Sequence, residues 1–257
     1  DEVTRIIQDD VNESVYGSIR NMTVGELREH ILSEKTDSTS LRRLSRGLTS
    51  EMVAAVAKLM SNLDLILGAK KLPVTAHCNT TIGLPGTLSC RLQPNHPTDD
   101  PEGILASTLE GLSFGAGDAV IGLNPAGDTV ERTKRILSMF EELKQKHGIP
   151  TQTCVLAHIT NQMKAIEQGA PADLIFQSIA GSEKGNTAFG FDGRTVEEAR
   201  ALALSRGTAT GPNVLYFETG QGSELSSDAH YGADQVTMEA RCYGFAKRYA
   251  PFLVNTV

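Results

Sequence analysis

The chain has 257 residues, with 24 Lys and Arg against 31 Asp and Glu, a formal charge of −7, and 40% hydrophobic residues. That acidic balance, without a run of five or more basic residues, excludes the concentrated cationic face that nucleic acid or an anionic membrane surface requires. A chain of this length can bury roughly 70–75% of its unfolded surface and so build one large core.

The first seventy residues read as helical. Thr23 and Glu26 form a capping box that opens a short helix to about Leu32. From Thr49 to Lys70, Val53, Val56, Leu59, Met60, Leu63, Ile66 and Leu67 recur at three-and-four spacing, which predicts one helix of about six turns with a buried face. This segment is too long and regular for a strand, so residues 1–72 are expected to form a helical extension outside the main sheet.

From Pro73 the pattern becomes strand, loop and helix in repetition. Strands are expected at Thr87–Gln93, Ala119–Asn124, Thr153–His158, Leu174–Ser178, Val214–Glu218 and Phe252–Val257. Between them, Asp100 caps a helix with Pro101 at its first position, Asp128 or Thr129 opens a long one, and Thr195 with Glu198 suggests a second capping box. Gly148, Gly169 and Gly207 sit where helices should stop. Alternating units of this length mean parallel βαβ, which leaves an open doubly wound sheet or a β/α barrel; the barrel needs eight strands and six are present.

Cys78, Cys90, Cys154 and Cys242 are scattered and make no C-x-x-C pair, which reads as reduced thiols in a cytoplasmic protein. No apolar stretch reaches the 18 residues of a membrane span, and Asp1-Glu2-Val3 has no signal-peptide character. With no initiator Met, and with Val257 falling inside an expected strand, the chain reads as a piece of a longer protein.

Side chains alternate along a strand, so Arg91 and Gln93 project together, opposite Leu88, Cys90 and Leu92. The next strand ends in Asn124-Pro125, the fourth in Gln177-Ser178 and the fifth in Glu218, before the Gly-rich loop Thr219-Gly220-Gln221-Gly222-Ser223. Polar strand ends are also simply where water begins. Four together favour a shared site at the C-terminal ends of parallel strands, where both α/β architectures assemble ligand sites. A Glu and an Arg converging there suit a polar substrate carrying its own cation.

Several chemistries lose support by motif. The chain has no G-x-x-x-x-G-K-[ST], G-x-S-x-G or H-E-x-x-H, and Gly220-Gln221-Gly222 lacks the third glycine of a dinucleotide fingerprint. Of six histidines only His158, ending a strand, could face the site, and Lys70 and Lys71 lie at a helix end rather than where a Schiff-base lysine would.

Asn79-Thr80-Thr81-Ile82-Gly83-Leu84-Pro85-Gly86-Thr87, Arg91-Leu92-Gln93-Pro94-Asn95, Gly117 through Pro125, Ile175 through Gly185 and Tyr216 through Ser223 resemble the large subunit of ethanolamine ammonia-lyase, in the same order and with compatible spacing. The resemblance implies an eight-stranded, TIM-type β/α barrel with an N-terminal helical extension, of which residues 73–257 hold about six strands. It implies an adenosylcobalamin-dependent radical enzyme converting ethanolamine to acetaldehyde and ammonia. A separate small subunit would cover the cofactor, inside a bacterial microcompartment in the cytoplasm.

Residue by residue, Arg91, Gln93, Asn124 and Glu218 match the family's substrate-binding positions, with Glu218 and Arg91 as the catalytic pair, and Pro125, Gln177 and Ser226 match positions that contact the cobalamin. No protein ligand to cobalt is implied, because Asp228-Ala229-His230-Tyr231-Gly232 misses the D-x-H-x-x-G pattern by one residue. The family continues past Val257 for two more strand–helix units. Two other readings remain open: an inactive fragment serving subunit association, and a β/α-barrel lyase or aldolase working without cobalamin.

Overall fold

The computed structural model describes residues 1–256, and the side chains of all of these except 221–223. Val257, the last residue of the expected final strand, lies outside the described residues.

The chain opens with six helices, α1 (Glu2–Asp9), α2 (Glu13–Ile19), α3 (Val24–Leu32), α4 (Ser38–Leu44), α5 (Ser50–Lys58) and α6 (Asn62–Lys71). Thr23 and Glu26 do form the capping box of α3. The expected six-turn helix is two helices instead. Ser61 accepts from the Asp64 amide while Asp64 accepts from the Ser61 amide, so a second capping box starts a fresh helix where the periodicity alone runs on. Its face is not buried either: Leu63 and Ile66 are each 63% exposed, and α6 has no buried residue. Ile19, Leu27, Leu41, Leu44 and Val56 make a small core among these helices.

A two-stranded antiparallel hairpin follows, β1 (Ala76–His77) and β2 (Thr81–Ile82). The remaining elements are β3 (Arg91–Leu92), α7 (Pro101–Ser113), β4 (Val120–Leu123), α8 (Val130–His147), β5 (Thr153–Val155), α9 (Ile159–Glu167), β6 (Ile175–Ile179), α10 (Glu183–Ala188), α11 (Gly193–Arg206), β7 (Leu215–Thr219), α12 (Gln221–Ser226), α13 (Gln235–Lys247) and β8 (Leu253–Asn255). Strands β3-β4-β5 and β6-β7-β8 form two parallel three-stranded sheets in chain order. The Leu174 amide donates to the Thr153 carbonyl between them, at 3.3 Å. The fold is therefore mixed α/β with parallel sheets.

Each expected strand is present near its place, two of them, β6 and β7, at full length but one residue later, and the other four shorter among the described residues. The first shrinks most, from Thr87–Gln93 to Arg91–Leu92, and Leu88, expected against the helices, is 100% exposed, with Cys90 exposed as well. Only Leu92 of that alternating set packs, its side chain lying so close to Gly111 of α7 that a Cβ there would meet it at 2.4 Å. Capping follows sequence at Asp100 with Pro101, at Thr129, and at Gly148, which ends α8 with φ +60°. The Thr195–Glu198 box does not form: the helix is capped three residues earlier, by Asp192, and Glu198 pairs with Arg194. The Gly-rich stretch expected as loop enters α12 at Gln221.

Alternation divides the core in two. Ile121, Leu123, Val155, Ile175, Leu215 and Phe217 pack among the helices, while Val120, Cys154, Leu156, Phe176 and Tyr216 form a second cluster on the opposite face. At the junction of the two sheets Asp173, fully buried, accepts from the Lys144 ammonium, the Thr153 amide and the Thr208 hydroxyl.

Candidate functional site

The inner face carries one charged cluster. Arg91, on β3, forms an ion pair with Glu218 on β7. Neighbouring strands lie about 4.8 Å apart, so in a flat sheet these two strands would be separated by about 19 Å, beyond side-chain reach. The strands must therefore curl strongly about this face.

Tyr216 stands two residues before Glu218 and shares its face by alternation. Its hydroxyl donates to Glu218 Oε1 at 2.8 Å and accepts from Arg91 Nη1. The Arg91 guanidinium also lies 5.8 Å from the Tyr216 ring centre. Asn255, paired with Glu218 in the register of β8, donates to the same oxygen at 3.2 Å. Glu218 Oε1 thus takes three hydrogen bonds, and Oε2 takes none from the described residues.

These contacts tune the groups. Burial opposes the Arg91 charge, but its hydrogen bond to Glu218 and the surrounding negative charge outweigh it, so the guanidinium is held above its ordinary value. Burial, then the hydrogen bond to Glu218, pushes the Tyr216 hydroxyl well up, so it stays a neutral donor at any working pH.

Beside Glu218 opens a cavity of 360 Å3 at the C-terminal ends of β6 and β7, lined among others by Asp128, His158, Gln177, Ser178 and Gly220. His158 caps α9: its Nδ1 accepts from the Thr160 amide and its Nε2 lies 2.8 Å from the Phe189 carbonyl. Asp128 takes the His158 amide at 2.8 Å and the Asn161 amide side chain at 2.8 Å.

The other expected residues are distributed unevenly. Gln93 is half-buried and Asn124 exposed; neither side chain bonds to Glu218 among the described residues, and neither lines the cavity. The Asn124 amide instead donates to Asn95 Oδ1, fixing the turn after β4, with Pro125 half-buried beside it. Gln177 is buried, and its amide is used within the protein: Oε1 accepts from the Ile159 amide at the start of α9 and Nε2 donates to the Ser178 carbonyl. Ser226 is exposed at the end of α12.

Two partners of Glu218 escaped the sequence reading. Tyr216 could have been found, since it lies two residues from Glu218 in a strand and so on its face. Asn255 lay inside an expected strand, but only register shows that it meets Glu218. The described residues hold no group of three or more His, Cys, Asp or Glu placed to bind a metal ion.

Comparison with known proteins follows the same lines. The family model described as "Ethanolamine ammonia lyase large subunit (EutB)" matches residues 1–257. The ethanolamine ammonia-lyase large subunit of Salmonella typhimurium is 58% identical over 257 residues, covering 100% of this chain and 57% of the relative. That of Escherichia coli strain K12 shows the same identity and coverage. The chain thus spans just over half the length of these relatives.

Proposed function

We propose, because this chain belongs to the ethanolamine ammonia-lyase large-subunit family, that it is the greater part of a lyase subunit that converts ethanolamine to acetaldehyde and ammonia. The observation that carries the reading is Glu218. Its Oε1 takes hydrogen bonds from Arg91, Tyr216 and Asn255, while Oε2 takes none from the described residues and lies beside a cavity at the strand ends where a ligand could reach it. A fixed carboxylate with one open oxygen suits a small cation such as the substrate's ammonium.

In this reading Glu218 holds the substrate's amino and hydroxyl groups and accepts a proton. Arg91 biases charge at the hydroxyl oxygen, and Gln93 and Asn124 complete the orientation when substrate is present. Tyr216 and Asn255 keep the Glu218 carboxylate from turning away. The apolar inner face, with Phe176 and Leu156 at the cavity, excludes water.

The cofactor of the reading is adenosylcobalamin, which when bound supplies carbon-centred radical chemistry. What supports it is that Ser178, Gly220 and the half-buried Pro125 bring a hydroxyl, backbone and apolar surface to the C-terminal ends of the strands. Pro125, Gln177 and Ser226 are the proposed contacts, Gln177 through its role in holding α9 and Ser178. Further strands beyond β8 would complete an eight-stranded barrel, a closure that the curl from Arg91 to Glu218 supports. Residues 1–72 would form a helical extension and 73–257 the barrel portion. A small subunit would complete a hetero-oligomer housed in a cytoplasmic microcompartment. No helix among the described residues is long and apolar enough to cross a membrane.

The test uses the full-length parent with its small subunit. Glu218→Gln is expected to bind cobalamin as the parent does, by absorbance titration, while turnover of ethanolamine falls by about 2–5 kcal/mol, from roughly thirtyfold to several thousandfold. Unchanged turnover would sink the assignment, and turnover by the parent without cobalamin would favour a cofactor-independent lyase.

A further inference from the structure

Glu224 lies in α12, directly after the strand that carries Glu218, and is 1% exposed. Its Oε1 accepts from the Gly181 amide at 2.6 Å, on the turn after β6; its Oε2 is buried and takes no direct hydrogen bond from the described residues, although the Ser182 backbone amide lies near enough to favour the charged form. Two further bonds join the same pair of loops: the Ser182 hydroxyl donates to the Ala229 carbonyl at 2.6 Å, and the Lys184 ammonium donates to the Asp228 carbonyl at 2.7 Å. Gly181 is held on both sides, because its carbonyl accepts from Arg241 on α13. It has no room to shift: a Cβ there would meet the Met238 carbonyl oxygen at 2.5 Å.

We propose that Glu224 is a positioning residue that docks α12 onto the turn after β6, and that its protonation sets how firmly α12 sits there. A buried carboxyl with one oxygen given no direct hydrogen bond tolerates a charge poorly. The surrounding groups do not supply a full counter-charge. From α13, Arg241 favours the charged form but is engaged by Glu51, Thr4 and the Gly181 carbonyl, and Glu239 opposes it. The Cys242 thiol, on the same helix, is kept protonated by burial. From α10, Lys184 is turned to the Asp228 carbonyl; Asp228 itself is exposed, with His230 3.8 Å away.

Burial accordingly pushes Glu224 up to about 7 from 4.5. A raised value means the docked state holds its proton more tightly than the undocked one. Docking is therefore firmest below pH 4.5, weakens as pH rises through 7, and is constant above that. Between pH 6 and pH 8 the opening equilibrium should rise about tenfold.

The test is amide hydrogen exchange in the cofactor-free full-length parent. After correction for the intrinsic rate, protection at Gly181 and across residues 224–229 should fall about tenfold from pH 6 to pH 8. Glu224→Gln keeps an acceptor for Gly181 but cannot titrate, so its protection should be the same at both pH values; Glu224→Ala should lose protection at both. A parent with no pH dependence, or a Glu224→Gln variant that keeps it, would overturn the proposal. The consequence for the cofactor rests on the function proposed above, in which Ser226 of α12 contacts cobalamin: affinity should then weaken from pH 6 to pH 8 in the parent and not in Glu224→Gln. Failure to bind cobalamin at either pH would count against that function, while the exchange data alone decide the role of Glu224.

Discussion

Arg91 and Glu218 meet across the inner face although β3 and β7 are separated by three intervening strands, and a tyrosine hydroxyl sits between them accepting from one and donating to the other. Both of the hydrogen bonds of the guanidinium to this cluster leave from Nη1. The pair is only partly exposed, and Glu218 helps hold the Arg91 guanidinium charged against its burial.

Arg91→Lys should be poorly tolerated for this reason. Lysine is shorter, so its ammonium does not reach the point where Nη1 meets both the tyrosine and the carboxylate, and a strongly hydrated point charge does not pack on the Tyr216 ring as the planar guanidinium does. At equal cofactor occupancy, kcat/KM for ethanolamine in the full-length parent should fall about a hundredfold. A loss below threefold would show that the guanidinium's geometry is irrelevant.

Tyr216→Phe separates positioning from charge. The ring packs edge-on against Phe176 at 5.3 Å and would stay, while the donor to Glu218 Oε1 is lost. Removing one hydrogen bond to a charged group costs about 1.5–3 kcal/mol. The expected outcome is a tenfold to hundredfold drop in kcat/KM with the thermal midpoint changed by only a few degrees. A fall in stability with activity per folded molecule unchanged would make Tyr216 structural alone.

Asp173→Asn tests the joint between the two sheets. The variant removes one of the two carboxylates on the buried Lys144 ammonium and leaves Glu141 at 2.8 Å, so it should cost less than the roughly 3–5 kcal/mol of a wholly unpaired buried charge. Replacing both, as Lys144→Met with Asp173→Leu, removes the ion pair but strands the Thr153 amide, the Thr208 hydroxyl and the Glu141 carboxylate, so it should recover at most part of the loss. Denaturation midpoints of the parent and both variants check this; a double variant no better than Asp173→Asn would show that the hydrogen bonds, not the ion pair, dominate.

Asn255→Ala asks whether β8 matters to the site. It removes the weakest of the three donors to Glu218 Oε1, at 3.2 Å, and should cost about 1 kcal/mol in kcat/KM, roughly fivefold. A hundredfold loss would mean that Asn255 touches substrate directly.

The sequence by itself determined what depends on a few neighbouring residues. Asp100 before Pro101, Thr23 with Glu26, and Gly148 at a left-handed helix end are local instructions, and each is followed. Period-two alternation set Arg91 opposite Leu92 within its strand for the same reason, since pleating fixes which way consecutive side chains point. Periodicity could not see that Ser61 and Asp64 would restart a helix inside an unbroken apolar pattern, nor that Leu63 and Ile66 would be left exposed, because what covers a face is decided by other parts of the fold. Likewise only the curl of the sheet brings β3 to β7, and only the register of β8 on β7 delivers Asn255 to Glu218. Side-chain direction is a property of one strand; which side chains meet is a property of how several strands are bent and slid against each other.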